Sequence, residues 1–345
     1  MAAVPEDIST SPAVVARSDW TVDQVLAVIE RPFHDLLADA HACHRSRFDP
    51  HEVEGAKLLS IKTGACPEDC AYCPQSARNE TELTPQPLME LPAIVAAAEQ
   101  AKAEGASRFC MGAAWRSPND RQVAEVAESV QAVADLGLET CVTLGMLTTG
   151  QAQTLADAGL DFYNHNLDTS PDFYGEIITT RTYDDRLETL AACREAGLRL
   201  CTGGIVGMGE SRRQRAGLLQ QLASLDPHPE SVPINLLIQV PGTPLHGLPA
   251  FEPLELVRTI AATRLVLPES VVRLSAGRSS MSDELHALCL HAGASSIFLG
   301  DRLLTADNNG EDADAVILDQ LDTTIRPRDT AVSLDAPVAF EVEVR

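Results

Sequence analysis

Positive charge is scarce in this 345-residue chain. Its 26 lysines and arginines stand against 50 aspartates and glutamates, a formal net charge of −24 and a pI near 4.6. So acidic a chain disfavours nucleic acid and anionic membranes as partners, because both would repel it. Long apolar runs are also missing: no stretch reaches the roughly 18–20 residues that a membrane-spanning helix needs. Met1–Ser18 has no apolar segment of the kind that directs secretion, so a cytoplasmic protein with a disordered tail over 1–18 is expected. Nine cysteines in a long, leaderless chain argue against a disulfide framework. Core packing, metal ligation and thiol chemistry are left for them. Hydrophobic residues at 45% and charged residues at 22% are a globular composition, long enough to bury a sizeable core.

No linker-like stretch divides Lys57 from Thr305, and a βα rhythm runs through it. Strands are expected at 57–62, 107–111, 139–144, 161–166, 199–206, 232–238, 271–275 and 295–299. Helices are expected between them at about 93–104, 123–136, 151–158, 184–196, 213–225, 253–267 and 283–292, with a short one after Gly300. Five helix-to-strand joints share one chemistry, with Gly105, Gly137, Gly159, Gly197 and Gly293 each following a helical stretch and preceding a β-rich run. A glycine there can take the left-handed conformation that ends a helix. Repeated βα units build parallel sheets covered by helices. Eight strands fit an α/β fold of the (β/α)8 TIM-barrel type, with an open doubly wound sheet as the alternative. Before the barrel, helices over about 20–40, with Thr21 as N-cap, and 36–47 form an N-terminal extension. The domains read as a tail over 1–18, the barrel with its helices over 19–306, and a C-terminal extension over 307–345. In that extension a helix is expected at 315–323 and a flexible acidic tail follows.

One loop lacks a ligand. Cys66-Pro-Glu-Asp-Cys70-Ala-Tyr-Cys73 follows the first strand, so a barrel places it at the catalytic face. Three thiolates are one fewer than a closed four-coordinate zinc site needs, and a His or Asp elsewhere could complete one. Alternatively they hold three corners of a [4Fe–4S] cube and leave one iron open to a ligand. Cys110, Cys141 and Cys201 fall in the second, third and fifth strands, where each is equally readable as a small core residue. Their coincidence beside the loop favours a joint cofactor role. Cys43, Cys193 and Cys289 lie in helical stretches and read as structural. In Asn164-His165-Asn166-Leu-Asp168, strand alternation sends Asn164, Asn166 and Asp168 to one face and His165 to the other. Gly203-Gly204 and Gly207-Met-Gly209-Glu210 lack the dinucleotide-binding spacing and read as a close backbone approach to a ligand.

Cys66-x-x-x-Cys70-x-Tyr72-Cys73 resembles the signature of the radical S-adenosylmethionine (SAM) enzymes. The longer runs 58–76, 108–115, 163–170, 201–207 and 271–278 are similar to the biotin synthase family within them. The resemblance runs from about the first helix to Thr305. It implies a sulfurtransferase that converts dethiobiotin to biotin, the last step of biotin biosynthesis. A [4Fe–4S] cluster on Cys66, Cys70 and Cys73 would cleave SAM to a 5′-deoxyadenosyl radical. A [2Fe–2S] cluster on Cys110, Cys141, Cys201 and Arg273 would give up the sulfur. The resemblance further implies SAM contacts from Tyr72, Asn166, Asp168 and Arg186, substrate contacts from Asn166 and Asn235, a flavodoxin- or ferredoxin-type electron donor, and a homodimer. Read without it, Arg273 is an interior arginine paired with a carboxylate, Arg186 a solvated helix arginine, and Asn235 a strand amide in need of a partner. The competing reading of the whole chain is a non-enzymatic iron–sulfur or zinc sensor, which would bind metal without cleaving SAM.

Overall fold

All five joint glycines take positive φ in the computed structural model, which describes residues 16–326; the values run from +78° at Gly197 to +112° at Gly293. At each of them a helix stops and the chain turns back under the sheet. Helix starts are equally local. Asn119, Thr148, Thr182 and Ser211 form capping boxes with the residue three positions on, each cap worth about 1 kcal/mol.

Parallel strands β1 (Glu52–Lys62), β2 (Arg108–Ala113), β3 (Glu139–Thr143), β4 (Phe162–Asn164), β5 (Arg199–Cys201), β6 (Gly204–Val206), β7 (Ser231–Leu236), β8 (Val271–Leu274) and β9 (Ser296–Phe298) form the barrel. It closes where β9 pairs back onto β1. Both β5 and β6 pair with β7, so the expected strand 199–206 is one stave interrupted at Thr202-Gly203. Closure decides for the barrel over the open doubly wound sheet. Helices α3 (Leu91–Ala103), α4 (Asp120–Asp135), α5 (Thr149–Asp157), α6 (Pro171–Ile177), α7 (Tyr183–Glu195), α8 (Arg212–Ala223), α9 (Pro253–Val266) and α10 (Asp283–His291) connect the staves.

Several boundaries differ from the sequence reading. The N-terminal extension breaks earlier, into α1 (Val22–Ile29) and α2 (Phe33–Arg45). Pro32 disfavours helical backbone at Arg31 and so separates them. Thr21 does cap α1, in a capping box with Gln24, and α1 and α2 lie against α8 and α9. Strand β1 begins five residues earlier than expected, at Glu52. Helix α6 was not anticipated. After Gly300 the chain forms a hairpin, β10 (Arg302–Leu303) with β11 (Ala306–Asp307), instead of a helix, turned by Leu304 at φ +46°. The region read as a C-terminal extension starts inside this hairpin. It continues as α11 (Glu311–Gln320) and β12 (Thr324–Ile325), which pairs in parallel with β1. Of the expected tail over 1–18 and the extension over 307–345, residues 1–15 and 327–345 lie outside the described residues.

Residues two apart on the strands fill the interior in layers, as barrel geometry requires. Glu54, Arg108, Phe162, Arg273 and Ser296 lie lowest. Arg273 is in register with Ser296, and Ser296 with Glu54. Ala56, Cys110, Cys141 and Cys201 form the next layer, with Cys110 directly opposite Cys141. Above them Leu58, Gly112, Thr143, Asn164 and Asn235 open onto a cavity.

Candidate active site

The loop after β1 is held by its own backbone and by the segment after α6. Asn79 Nδ2 donates to the carbonyls of Cys70 (3.1 Å) and Cys73 (2.8 Å). Cys66 N–H donates to Gln75 O at 3.0 Å. Asp69 accepts from the backbone N–H groups of Thr179 and Thr180, and the buried Glu68 accepts from the Thr180 hydroxyl. These contacts turn Cys66, Cys70 and Cys73 into a cavity of about 270 Å³ at the C-terminal ends of the strands. Cys110, Cys141, Cys201, Arg273, Tyr72, Asn166 and Asn235 line the same cavity.

All nine cysteines are free thiols. Burial pushes Cys70 up to about 11 and Cys73 up to about 12, and it also raises Cys66. By themselves, then, these are neutral thiols in a poorly solvated pocket. A cationic iron cluster against them would offset the desolvation and draw them into the thiolate form. Three thiols from one loop lining one cavity suit a cluster that keeps one iron open.

Deeper in the barrel, Cys141 hydrogen-bonds with both Cys110 and Cys201. These bonds, Cys110's first, raise the Cys141 thiol, and burial adds to the rise. Cys201 moves the other way. The bond from Cys141 lowers it most, burial opposes, and the charges of Arg273 and Arg108 favour its thiolate. Asn164 Nδ2 donates to Cys201 Sγ at 3.2 Å, and Arg273 Nη1 lies 4.0 Å from the same sulfur. For Arg273, the carboxylate pairing expected of an interior arginine is what is seen. It is an interior arginine paired with a carboxylate, Glu54, at 2.6 Å, and it also borders the cavity beside three cysteines.

Asp168, Tyr72, Asn166 and Arg186 meet beside the cavity, which Tyr72 and Asn166 line. Tyr72 Oη donates to Asp168 Oδ2 at 2.6 Å. Arg186 donates to Asp168 and to the Asn166 carbonyl, and its Nε donates to Tyr174 Oη at 2.7 Å. Arg186 is buried, which overturns the solvated-helix reading. Strand alternation explains only part of this group. β4 stops at Asn164, and Asp168 reaches the site because its backbone turns at φ +66° and bridges to Gly204. Asn164 and Asn166 do line the cavity, while Asp168 lines an adjoining one of about 230 Å³. His165 turns away and is buried. Asn235 engages both ends of its amide with backbone, donating to Gly204 O at 3.0 Å and accepting from Ala276 N–H at 3.2 Å. The close approach made by Gly203 is to protein: a Cβ there would stand 1.9 Å from Pro233 O. Cys43, Cys193 and Cys289 are buried in α2, α7 and α10, away from the cavity.

Sequence reasoning missed Glu54, Ser296, Trp115 and Leu304, of which the last two also line the cavity. For Glu54 the available signal was indirect: an interior arginine on β8 needs an acid, and nothing local says which.

Family comparisons agree with this geometry. Residues 60–222 match the model of the Radical SAM superfamily, and 233–324 match the Biotin and Thiamin Synthesis associated domain. The second match begins inside β7, so the two share one barrel. Among known proteins, the biotin synthase of Thioalkalivibrio sulfidiphilus is 62% identical over 311 residues, covering 90% of this chain and 92% of that one. The biotin synthase of Bordetella petrii is 60% identical over 318 residues, covering 92% and 94%. Among solved structures, methylornithine synthase superposes with a TM-score of 0.76 at 18% identity, covering 89% of this chain and 94% of that one. The FeFe-hydrogenase maturase HydG from Carboxydothermus hydrogenoformans gives 0.76 at 17%, covering 87% and 75%; at such identities these two speak for the fold alone. Among the described residues no helix is long and apolar enough to cross a membrane. With a barrel closed around six convergent cysteines and this identity over nine-tenths of its length, the chain belongs to the biotin synthase family of radical SAM enzymes.

Proposed function

We propose that Cys66, Cys70 and Cys73 hold a [4Fe–4S] cluster that presents its open iron to SAM, and that Cys110, Cys141, Cys201 and Arg273 hold a [2Fe–2S] cluster. The observation that carries this reading is that all seven side chains line one cavity. When bound, the first cluster with SAM supplies a radical able to take hydrogen from unactivated carbon of dethiobiotin, and the second cluster supplies the sulfur. The chain's own residues bind and orient. Asp168, next to Tyr72 and Arg186, offers carboxylate oxygens to ribose hydroxyls. Arg186 holds that carboxylate still and brings positive charge toward the SAM carboxylate. Asn166 uses Oδ1 to accept from Gly203 N–H at 3.1 Å, which leaves its amide N–H2 for SAM and for the substrate's ureido ring. Asn235, fixed at both ends, adds a rigid polar wall on the substrate side. Trp115 and Leu304 line the cavity with apolar surface, which keeps water from a site where a radical must survive. The family likeness also favours a flavodoxin- or ferredoxin-type reductant, a homodimer and a cytoplasmic location.

The test is anaerobic reconstitution with iron and sulfide, followed by SAM, reductant and dethiobiotin. The expected result is biotin. SAM cleavage without biotin, with both clusters loaded, would refute this substrate assignment, and metal binding without SAM cleavage would favour the sensor.

A further inference from the structure

Arg273 presents one particular nitrogen to the cavity. Its Nη2 donates to Glu54 Oε1 at 2.6 Å and its Nε to Ser296 Oγ at 2.8 Å. Ser296 Oγ in turn donates to the same Glu54 oxygen at 3.2 Å. Two of the three guanidinium nitrogens are thereby tied to the barrel floor, and Nη1 is the one 4.0 Å from Cys201 Sγ. The face of the Phe298 ring, 4.8 Å from the guanidinium carbon, packs on the same group. Arg273 and Glu54 are almost fully buried, with side-chain exposures of 1% and 5%. Arg108 and Arg326 also reach Glu54, at 3.2 and 3.4 Å, through its other oxygen. Arg108 has its own second acid in Glu139, at 2.7 Å, whereas Glu54 is the acid paired with Arg273.

We propose that Glu54, with Ser296, is the positioning residue that aims Nη1 of Arg273 at the cysteine cavity and supplies the buried negative charge that balances it. The proposal rests on the reading of Arg273 as a ligand of the second cluster. A guanidinium without such partners could turn about its side-chain torsions, including Cδ–Nε, and present another edge, its planar fork moving as one unit. One held through Nη2 and Nε by a carboxylate and a hydroxyl that also bond each other has a single orientation. The carboxylate also sets the local field: removing a buried negative charge beside a redox group favours its reduced form.

The experiment uses the reconstituted full chain, with midpoint potential and electron paramagnetic resonance of the second cluster as readouts, and circular dichroism and the [4Fe–4S] signal as folding controls. Glu54→Gln keeps an amide oxygen for Nη2 and loses the charge. It should retain the second cluster and its line shape while its midpoint potential rises. Glu54→Ala and Ser296→Ala free the guanidinium. They should alter the second cluster's line shape or speed its loss at least severalfold, with the first cluster intact. Glu139→Gln disturbs the same ionic network without touching Arg273 and should change neither readout. Unchanged potential in Glu54→Gln together with unchanged line shape in Glu54→Ala would overturn the proposal. So would a Glu139→Gln shift as large as that of Glu54→Gln. If Cys201→Ala also leaves the second cluster in place, the fault lies instead in the assignment of the cluster ligands.

Discussion

Asp168→Asn separates charge from shape at the centre of the proposed SAM-binding group. Asp168 and Arg186 are each only 3% exposed in their side chains, so this is a buried pair. Breaking such a pair by removing one charge costs about 3–5 kcal/mol, because the partner stays buried without compensation. Arg186 keeps two neutral acceptors, Tyr174 Oη and the Asn166 carbonyl, and the Tyr174 ring at 5.3 Å. The expected loss therefore lies near the lower end, about 3 kcal/mol. Asparagine also tolerates the backbone at φ +66°, so the substitution adds no conformational term. Asp168→Ala should lose about 1–2 kcal/mol more, since alanine resists the left-handed region and cannot accept from Tyr72. Urea unfolding of the apo chain measures both, and SAM binding to the reconstituted chain measures function; affinity should fall in both variants. A midpoint for Asp168→Asn matching that of the unsubstituted chain would show that Arg186 does not depend on the carboxylate and would refute the reasoning.

Three further outcomes are expected. Cys110→Ala, Cys141→Ala and Cys201→Ala should each lose the second cluster's visible absorbance and keep the [4Fe–4S] signal; full absorbance and activity in all three would make these thiols core filling. Gly203→Ala places a Cβ 1.9 Å from Pro233 O and should prevent stable folding by pushing β5 and β7 apart, whereas Gly150→Ala, with open space around its Cβ in α5, should stabilise by up to about 1 kcal/mol; thermal unfolding compares them. His44 is buried in α2 and held down to about 2, first by desolvation and then by Arg264. Its folded value lies below its unfolded one, so the unfolded chain binds the extra proton and stability falls as pH drops below about 6.5, by roughly 2 kcal/mol at pH 5. Apo-chain unfolding midpoints from pH 7 to 5 should show that slope, and His44→Leu should reduce it, leaving the part due to His165 and His286, which burial also holds down.

Local signals were legible because local chemistry produces them. The joint glycines, the strand spacing and the cysteine loop each need only a few neighbouring residues to be recognised. Boundaries failed where long-range contacts outweighed local preference. Glu52–Ala56 is polar and contains glycine, yet it is strand because β9, β2 and β12 all pair with β1 there. The segment after Gly300 has helix-like residues, but Leu303 and Leu304 pack onto the barrel mouth as a hairpin.

By itself, then, the amino-acid order determined a repeating βα unit, a loop of three thiols at the catalytic face, and period-two strands able to carry Cys110, Cys141 and Cys201 inward. Only closure of the barrel decided what those residues face. Arg273 meets an acid 219 positions away, and Arg326 reaches the same acid across 272. No spacing rule links such positions, because the pairing follows from strand register and from the cost of leaving an arginine buried without a counter-charge.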